Sequence, residues 1–271
     1  MCKINPRVDF AFKKLFGSEE NKDLLISLIN AIVSEQEQVV EVELKNPYNL
    51  ADYRAGKISI LDIKAKSETG RWFNVEMQIS EDYNFDKRAI YYWAKLVTEQ
   101  LSEGMMFKEL KKTISINILD FNFIPNTYEV HNCYKIINIA TGKDDKLHDI
   151  FELHYIELKK FTKTYQQISS ALDRWSTFLT NAHNIDKNAM PKELSTDQAI
   201  VKAIAVKSRL IIILFNKQFR LIFLPFLDGL DRCLMVDGAL WNMMIIDNQV
   251  AEQGLFQFLG GAKSGNPLQS Q

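Results

Sequence analysis

The spacing of hydrophobic residues predicts a helical N-terminal part followed by a strand. In residues 6–16, phenylalanine and leucine recur among lysines and Gly17 ends the run, which is typical of a short helix. In residues 21–33, leucine and isoleucine recur at helical intervals and predict a second helix. Residues 39–45 alternate between apolar and charged side chains, which predicts a strand.

Two strand-like runs with a short connection predict a β-hairpin. They span Lys57–Lys66 and Arg71–Ser80, and four residues ending in Gly70 join them. Such a glycine suits a left-handed position at the end of the loop. Centring the loop on Thr69 fixes three cross-strand pairs: Asp62 with Glu76, Lys64 with Asn74, and Ile60 with Gln78.

The hairpin has one apolar and one polar face, because side chains alternate along a strand. The apolar face is expected to join the core and collects Leu61, Ile63, Ala65, Phe73, Val75, Met77 and Ile79. The polar face collects Asp62, Lys64, Lys66, Trp72, Asn74, Glu76 and Gln78. Two carboxylates therefore lie side by side on the polar face.

The later pattern predicts an α/β or α+β fold with a central mixed sheet flanked by helices and followed by a mostly helical C-terminal region. We expect a helix over 86–103, strands over 113–123, 132–140 and 151–158, and helices over 168–179 and 196–206. The corresponding domain division is 1–164 for the sheet-containing part, 165–206 for a helical extension, and 207–271 for an atypical apolar region with a flexible end.

Composition narrows the class of protein. The chain has 271 residues, of which 46% are hydrophobic and 25% charged, as in a soluble globular protein. Its net charge of -1 excludes a histone-like protein that binds nucleic acid through bulk positive charge. The most apolar stretch, Leu210–Leu227, is interrupted by polar residues and falls short of the roughly 18 uninterrupted apolar residues that a membrane-spanning helix needs. No phosphate-binding glycine motif predicts a nucleotide cofactor, and no signal segment is evident, so we expect a cytoplasmic protein.

Metal-binding motifs built on cysteine or histidine are not evident. The three cysteines are far apart and form no CxxC pair. The four histidines have no zinc-protease spacing, so we expect ordinary surface or loop residues: His131, His148, His154 and His183.

The opposed Asp62 and Glu76 are the strongest candidates for chemistry. Two carboxylates about 5 Å apart repel each other unless a proton, a lysine such as Lys64, or a divalent cation relieves the repulsion. Mg²⁺ suits such a pair, with the carbonyl of Met77 as a further ligand. Gln78 lies on the same face and can orient water or phosphate. The alternative is an ordinary solvated polar face.

The sequence resembles the PD-(D/E)xK nuclease superfamily and, more narrowly, the bacterial family of recombination-promoting nucleases and transposases. Three pieces carry most of this resemblance: Asn5–Gly17, Leu61–Lys66 and Phe73–Gln78. The helix around Arg88–Tyr92 and the segment Gly104–Ile118 support it, and it covers about residues 5–160. The resemblance implies a restriction-endonuclease-like core.

The resemblance also implies roles for individual residues. Asp62 and Glu76 match the two metal-binding acids, and Gln78 stands where the superfamily more often has lysine. Lys64 or Arg88 can supply the missing positive charge. Asp9 is a candidate additional acid, with a simple helix-start charge as the alternative. The remaining candidates for substrate contact are Lys13 and Tyr92; the alternative for Tyr92 is a buried helix face.

The implied activity is Mg²⁺-assisted hydrolysis of DNA phosphodiesters in recombination or transposition, with Mn²⁺ able to substitute for Mg²⁺. The alternative is an inactive nuclease-fold remnant that binds DNA or protein, or the product of a decaying gene. The apolar region 207–230, which departs from the family pattern, motivates this alternative. DNA is the expected partner, no membrane partner is expected, and a homodimer stays open.

Overall fold

The computed structural model describes residues 4–49, 59–143, 150–185 and 189–223. Its centre is a mixed sheet of six strands in the order β1-β4-β5-β6-β8-β7. A separate two-stranded sheet pairs β2 with β3. The strands are β1 (Val42–Lys45), β2 (Tyr48–Asn49), β3 (Ser59–Ile60), β4 (Ile63–Ser67), β5 (Trp72–Gln78), β6 (Thr113–Leu119), β7 (His131–Lys135) and β8 (Phe151–Glu157).

Helices flank the sheet, so the predicted class and the mixed sheet are confirmed. The α-helices of the described residues are α1 (Asp9–Phe16), α2 (Lys22–Ile32), α3 (Phe85–Thr98), α4 (Ala171–Asn181), α5 (Lys192–Ser195) and α6 (Gln198–Phe223). In the described part of the chain, no helix is long and apolar enough to cross a membrane. Contacts within the chain divide it into residues 1–217 and 218–271. The predicted division at 164 and 206 stays a prediction.

The main core lies on one face of the sheet, where α1, α2, α4 and α6 contribute side chains. Phe16 of α1 contacts Trp175 of α4 edge-on, with ring centroids 5.3 Å apart. The indole N–H of Trp175 donates to Ser27 of α2 at 3.2 Å. Burial of such large side chains is the main source of stability of this layer. The helices after residue 164 therefore complete the core of the sheet.

The predicted hairpin is confirmed over most of its length. Four pairs of the antiparallel β4–β5 ladder have the expected register: Ile63 with Val75, Lys64 with Asn74, Ala65 with Phe73, and Lys66 with Trp72. Gly70 has a φ of 88°, which only glycine adopts readily, so the turn fixes this register.

The outer end of the predicted hairpin is wrong. The β4–β5 ladder ends at the pair of Ile63 with Val75, and Ile60 instead pairs with Tyr48 in the small sheet. The chain bends between β3 and β4 because the N–H of Leu61 donates to the carbonyl of Pro47 at 3.0 Å. Ile79, expected in the core, is exposed because β5 ends at Gln78.

The strand expected over 132–140 is too long, and the apolar stretch 207–230 is described only in part. The strand expected over 132–140 is β7, which ends at Lys135, and the following isoleucines 136, 137 and 139 are exposed. Within the stretch 207–230, α6 continues to Phe223 as a regular helix. Residues 224–271 lie outside the described residues.

Candidate active site

The polar face of the hairpin is covered by α3. Trp93 of α3 donates its indole N–H to the carbonyl of Thr113 at 2.9 Å, which ties the helix to β6. Beneath it Lys64, Asn74 and Glu76 are buried. The alternative of a solvated polar face is therefore wrong: this face holds buried polar groups, which need partners inside the protein or a ligand.

Asp62 and Glu76 hold each other in place through the backbone. The N–H of Asp62 donates to Oε1 of Glu76 at 3.1 Å. In return, the N–H of Met77 donates to Oδ2 of Asp62 at 2.8 Å. The bend before β4 and the middle of β5 thus bring the two predicted acids together.

Both acids have raised pKa values. Burial, followed by the negative charge of Asp62, raises the pKa of Glu76 from 4.5 to about 8, and Arg88 opposes this rise. Burial also raises the pKa of Asp62, against the N–H of Met77 and the ammonium of Lys13. At neutral pH the pair therefore keeps a proton, and a bound divalent cation would take that proton's place.

Lys13 connects Asp9 to this pair. Its ammonium lies 2.6 Å from Oδ1 of Asp9, one helical turn earlier, and 3.5 Å from Oδ1 of Asp62. The pKa of Lys13 is raised, because these two acids outweigh the opposing effect of burial. Asp9 is thus adjacent to the site through Lys13, and its side chain is about half exposed.

Gln78, Arg88 and Tyr92 form a second group beside Glu76. Nη2 of Arg88 donates to Oε1 of Gln78 at 2.5 Å. The guanidinium lies 5.9 Å from the ring centre of Tyr92, and burial, followed by the charge of Glu76, raises the pKa of the Tyr92 hydroxyl. The first turns of α3 therefore place a cation beside Gln78.

Lys64 lies toward the other end of α3. Its ammonium forms an ion pair with Glu99, the residue after the helix, and lies 5.4 Å from the ring centre of Trp72. Arg88 and Glu99 are eleven residues apart, which is about 16 Å along a helix. Of the two candidate cations, Arg88 is the one that the structure brings to Gln78.

The sequence did not indicate three further residues that contact this group. Asp82 accepts from Nη1 of Arg88 at 3.2 Å and fixes the guanidinium from the loop before α3. Arg7 pairs with Asp120, whose N–H donates to the carbonyl of Gln78 at 2.9 Å. Arg7 lies within the N-terminal stretch that carries the resemblance, whereas nothing in the local sequence singles out Asp82.

The donor set fits a hard divalent cation. Asp62 and Glu76 offer carboxylate oxygens at one place, and Mg²⁺ prefers one or two carboxylates completed by water and phosphate oxygens. For Met77, the structure assigns the N–H to Asp62, and the role of its carbonyl as a ligand stays a prediction.

A family model described as PD-(D/E)XK nuclease family transposase matches residues 6–212. The match begins before α1 and ends within α6, so it contains all of the site residues named above. No curated protein and no solved structure matches the chain significantly.

Proposed function

Because the chain belongs to the PD-(D/E)XK nuclease family transposases, we propose that it is a divalent-metal-dependent endonuclease that hydrolyses DNA phosphodiester bonds in recombination or transposition. The observation that carries this proposal is the reciprocal backbone bonding of Asp62 and Glu76. It orients the buried carboxylate of Glu76 and the partly buried carboxylate of Asp62 toward one place. The ammonium of Lys13 lies 3.5 Å from Asp62.

Asp62 and Glu76 would hold the cation, Mg²⁺ or Mn²⁺, with Met77 and Asp9 as further candidate ligands. When bound, such a cation supplies an activated water and charge stabilisation at the phosphate. Glu76 must release its proton to bind the cation, so the affinity for the metal should rise as the pH rises toward the pKa of about 8.

Arg88 is the proposed phosphate contact. Two of its nitrogens are bound by Gln78 and Asp82, and its buried Nε has no hydrogen-bond partner among the described residues. A phosphate oxygen would satisfy that donor. Gln78 then acts by holding the guanidinium, and Lys13 and Tyr92 are the further candidates for contact with DNA.

The test is nicking of supercoiled plasmid with Mg²⁺, with Mn²⁺ and with chelator. Asp62→Asn and Glu76→Gln keep the shape of each side chain and should lower the rate at least about 100-fold, since metal catalysis is worth several kcal/mol and each 1.4 kcal/mol is tenfold. Glu103→Gln, an exposed acid, is the matched control.

Equal nicking by all three variants would overturn the proposal. Absence of nicking by a folded wild-type protein would favour the inactive, DNA- or protein-binding alternative. Arg88→Met and Lys64→Met separate the two candidate cations, and we expect the larger loss of nicking rate for Arg88→Met.

DNA as the substrate and a cytoplasmic location belong to the same proposal. Sedimentation of the purified chain measures whether it forms a homodimer.

A further inference from the structure

A second cluster of metal-ligating side chains lies at the β7 edge of the sheet. In the antiparallel β7–β8 ladder, Cys133 pairs directly with His154, and Glu152 lies two residues before His154 on the same face. One ligand atom from each of the three residues lies within 4.8 Å of the other two. The expectation that His154 is an ordinary surface residue is therefore wrong, because it is 2% exposed.

This cluster is separate from the acid pair. Ile116 of β6 lies beside His154 and belongs to the main core, whereas Asn117 lies beside Glu76 on the face covered by α3. The two sets of side chains thus project from opposite faces of the sheet, and β6 separates the strands that carry them.

We propose that Cys133, Glu152 and His154 bind one transition-metal ion, Zn²⁺ by the chemistry of the ligands. Zinc bonds of about 2.0–2.3 Å place the ligand atoms of a tetrahedral site roughly 3–4 Å apart, which small side-chain movements reach from this arrangement. A sulfur, nitrogen and oxygen set selects zinc or cobalt over Mg²⁺. Three protein ligands leave the fourth position to water.

His131 gives His154 the support that metal-bound histidines have. Nδ1 of His154 lies 2.8 Å from Nε2 of His131, and Nε2 of His154 lies 2.8 Å from Oε1 of Glu152. With a metal on Nε2, the proton of His154 lies on Nδ1 and is donated to His131. Cys133 loses its thiol proton to solvent and binds as thiolate.

Two lysines oppose the metal and therefore limit its affinity. The ammonium groups of Lys112 and Lys135 lie 2.7 Å and 3.2 Å from Oε2 of Glu152. Lys112 also pairs with Glu37, whereas the partly exposed Lys135 can turn toward solvent. Cys133 is exposed on the edge strand, so an ion can reach the cluster without opening the core.

The test uses the 271-residue chain, freed of metal with a chelator and titrated with Co²⁺ and then Zn²⁺. We expect one Co²⁺ ion to bind at this cluster and to give a thiolate-to-cobalt charge-transfer band. Addition of Zn²⁺ should displace the Co²⁺ and abolish the band. The band should remain in the double variant Cys2→Ser/Cys233→Ser, whose only cysteine is Cys133. It should also remain in Glu76→Gln, which separates this site from the proposed active site.

Cys133→Ser, at an exposed position, should abolish the band while the protein stays folded by circular dichroism. His131→Asn should weaken Zn²⁺ binding about 10–100-fold, as loss of a supporting partner does. Lys135→Ala should tighten it roughly 3–10-fold by removing a competing charge. A band that survives Cys133→Ser, or no band in the folded wild-type protein, would overturn the proposal.

Discussion

The N–H of Asp62 donates to Oε1 of Glu76 at 3.1 Å, so the chain just before β4 holds a carboxylate on β5. The N–H of Met77 holds Asp62 in the same way from the other strand. Each carboxylate is therefore oriented by a backbone N–H at or next to the other acid. Amide substitutions at these positions therefore change charge and protonation while keeping an acceptor oxygen in place.

The first prediction concerns the stability of the metal-free protein between pH 6 and pH 8. Glu76 has a pKa of about 8 when folded and an ordinary value of 4.5, so in this range the folded state holds a proton that the unfolded state has lost. Stability of the wild-type protein therefore falls as pH rises. Between pH 6 and pH 8, the free energy of unfolding of the wild-type protein should fall by about 2 kcal/mol relative to that of Glu76→Gln. Each pH unit below the folded pKa is worth about 1.4 kcal/mol, and the titration of Glu76 is half complete at pH 8.

Urea unfolding in chelator at pH 6, 7 and 8 measures this difference. Glu103→Gln serves as the control because its exposed carboxylate should follow the wild-type curve. Parallel curves for wild type and Glu76→Gln would show that the folded state holds no extra proton on Glu76 in this range and would contradict the prediction.

The second prediction concerns Gln78, for which the resemblance to the superfamily implies a position more often occupied by lysine. Gln78→Lys should not raise nuclease activity but lower it at least about tenfold. The new ammonium would face the guanidinium of Arg88, which now lies 2.5 Å from Oε1 of Gln78, and like charges at such a distance repel strongly. The measurement is the plasmid nicking rate with Mg²⁺.

The double variant Gln78→Lys/Arg88→Gln exchanges the two side chains and should recover most of the lost rate. If the single variant is as active as wild type, the proposed role of Arg88 beside Gln78 is wrong.

The hairpin was predictable because its information is local. Alternation along β4 and β5 indicates which side chains share a face, and Gly70 with its positive φ fixes the turn and hence the register. The same alternation continues through Ile60 and Ile79, where the prediction fails. The bend at Leu61 depends on the carbonyl of Pro47, a partner that no local pattern reveals.

The acid pair was predictable from the register, but its surroundings were not. Lys64 pairs with Glu99, which follows it by 35 residues, and Arg88 is fixed by a loop acid. His154 is similar: it meets Cys133 only because β7 pairs with β8. Such contacts follow from tertiary packing, whereas the sequence pattern indicates only the face on which a residue lies.

The third prediction concerns the start of α4. Oγ of Ser170 accepts the N–H of Asp173 at 3.0 Å and satisfies a donor at the helix end. Ser170→Ala should lower the free energy of unfolding by about 1 kcal/mol, whereas Ser170→Gly should cost only a few tenths of a kcal/mol because glycine is tolerated at an N-cap. Urea unfolding of both variants measures the difference, and equal losses would mean that the hydroxyl does not cap the helix.

The fourth prediction concerns Lys112, whose ammonium lies 2.5 Å from Oε1 of Glu37 and 2.7 Å from Oε2 of Glu152. Lys112→Met leaves these carboxylates without their shared cation in a buried place, so we expect a loss of roughly 3–5 kcal/mol at pH 7 in chelator. The same substitution at the exposed neighbour, Lys111→Met, should cost less than about 0.5 kcal/mol.

The effect of Lys112→Met should depend on pH. Lys112 and Arg71 lower the pKa of Glu37 against the effect of burial, and the pKa of Glu152 is also lowered. The stabilisation by these two carboxylates is therefore present above about pH 4.5 and is lost progressively below it. The difference between wild type and Lys112→Met should therefore narrow as the pH falls from 5 to 3. A difference that stays constant would assign the loss to packing of the lysine stem instead of to its charge.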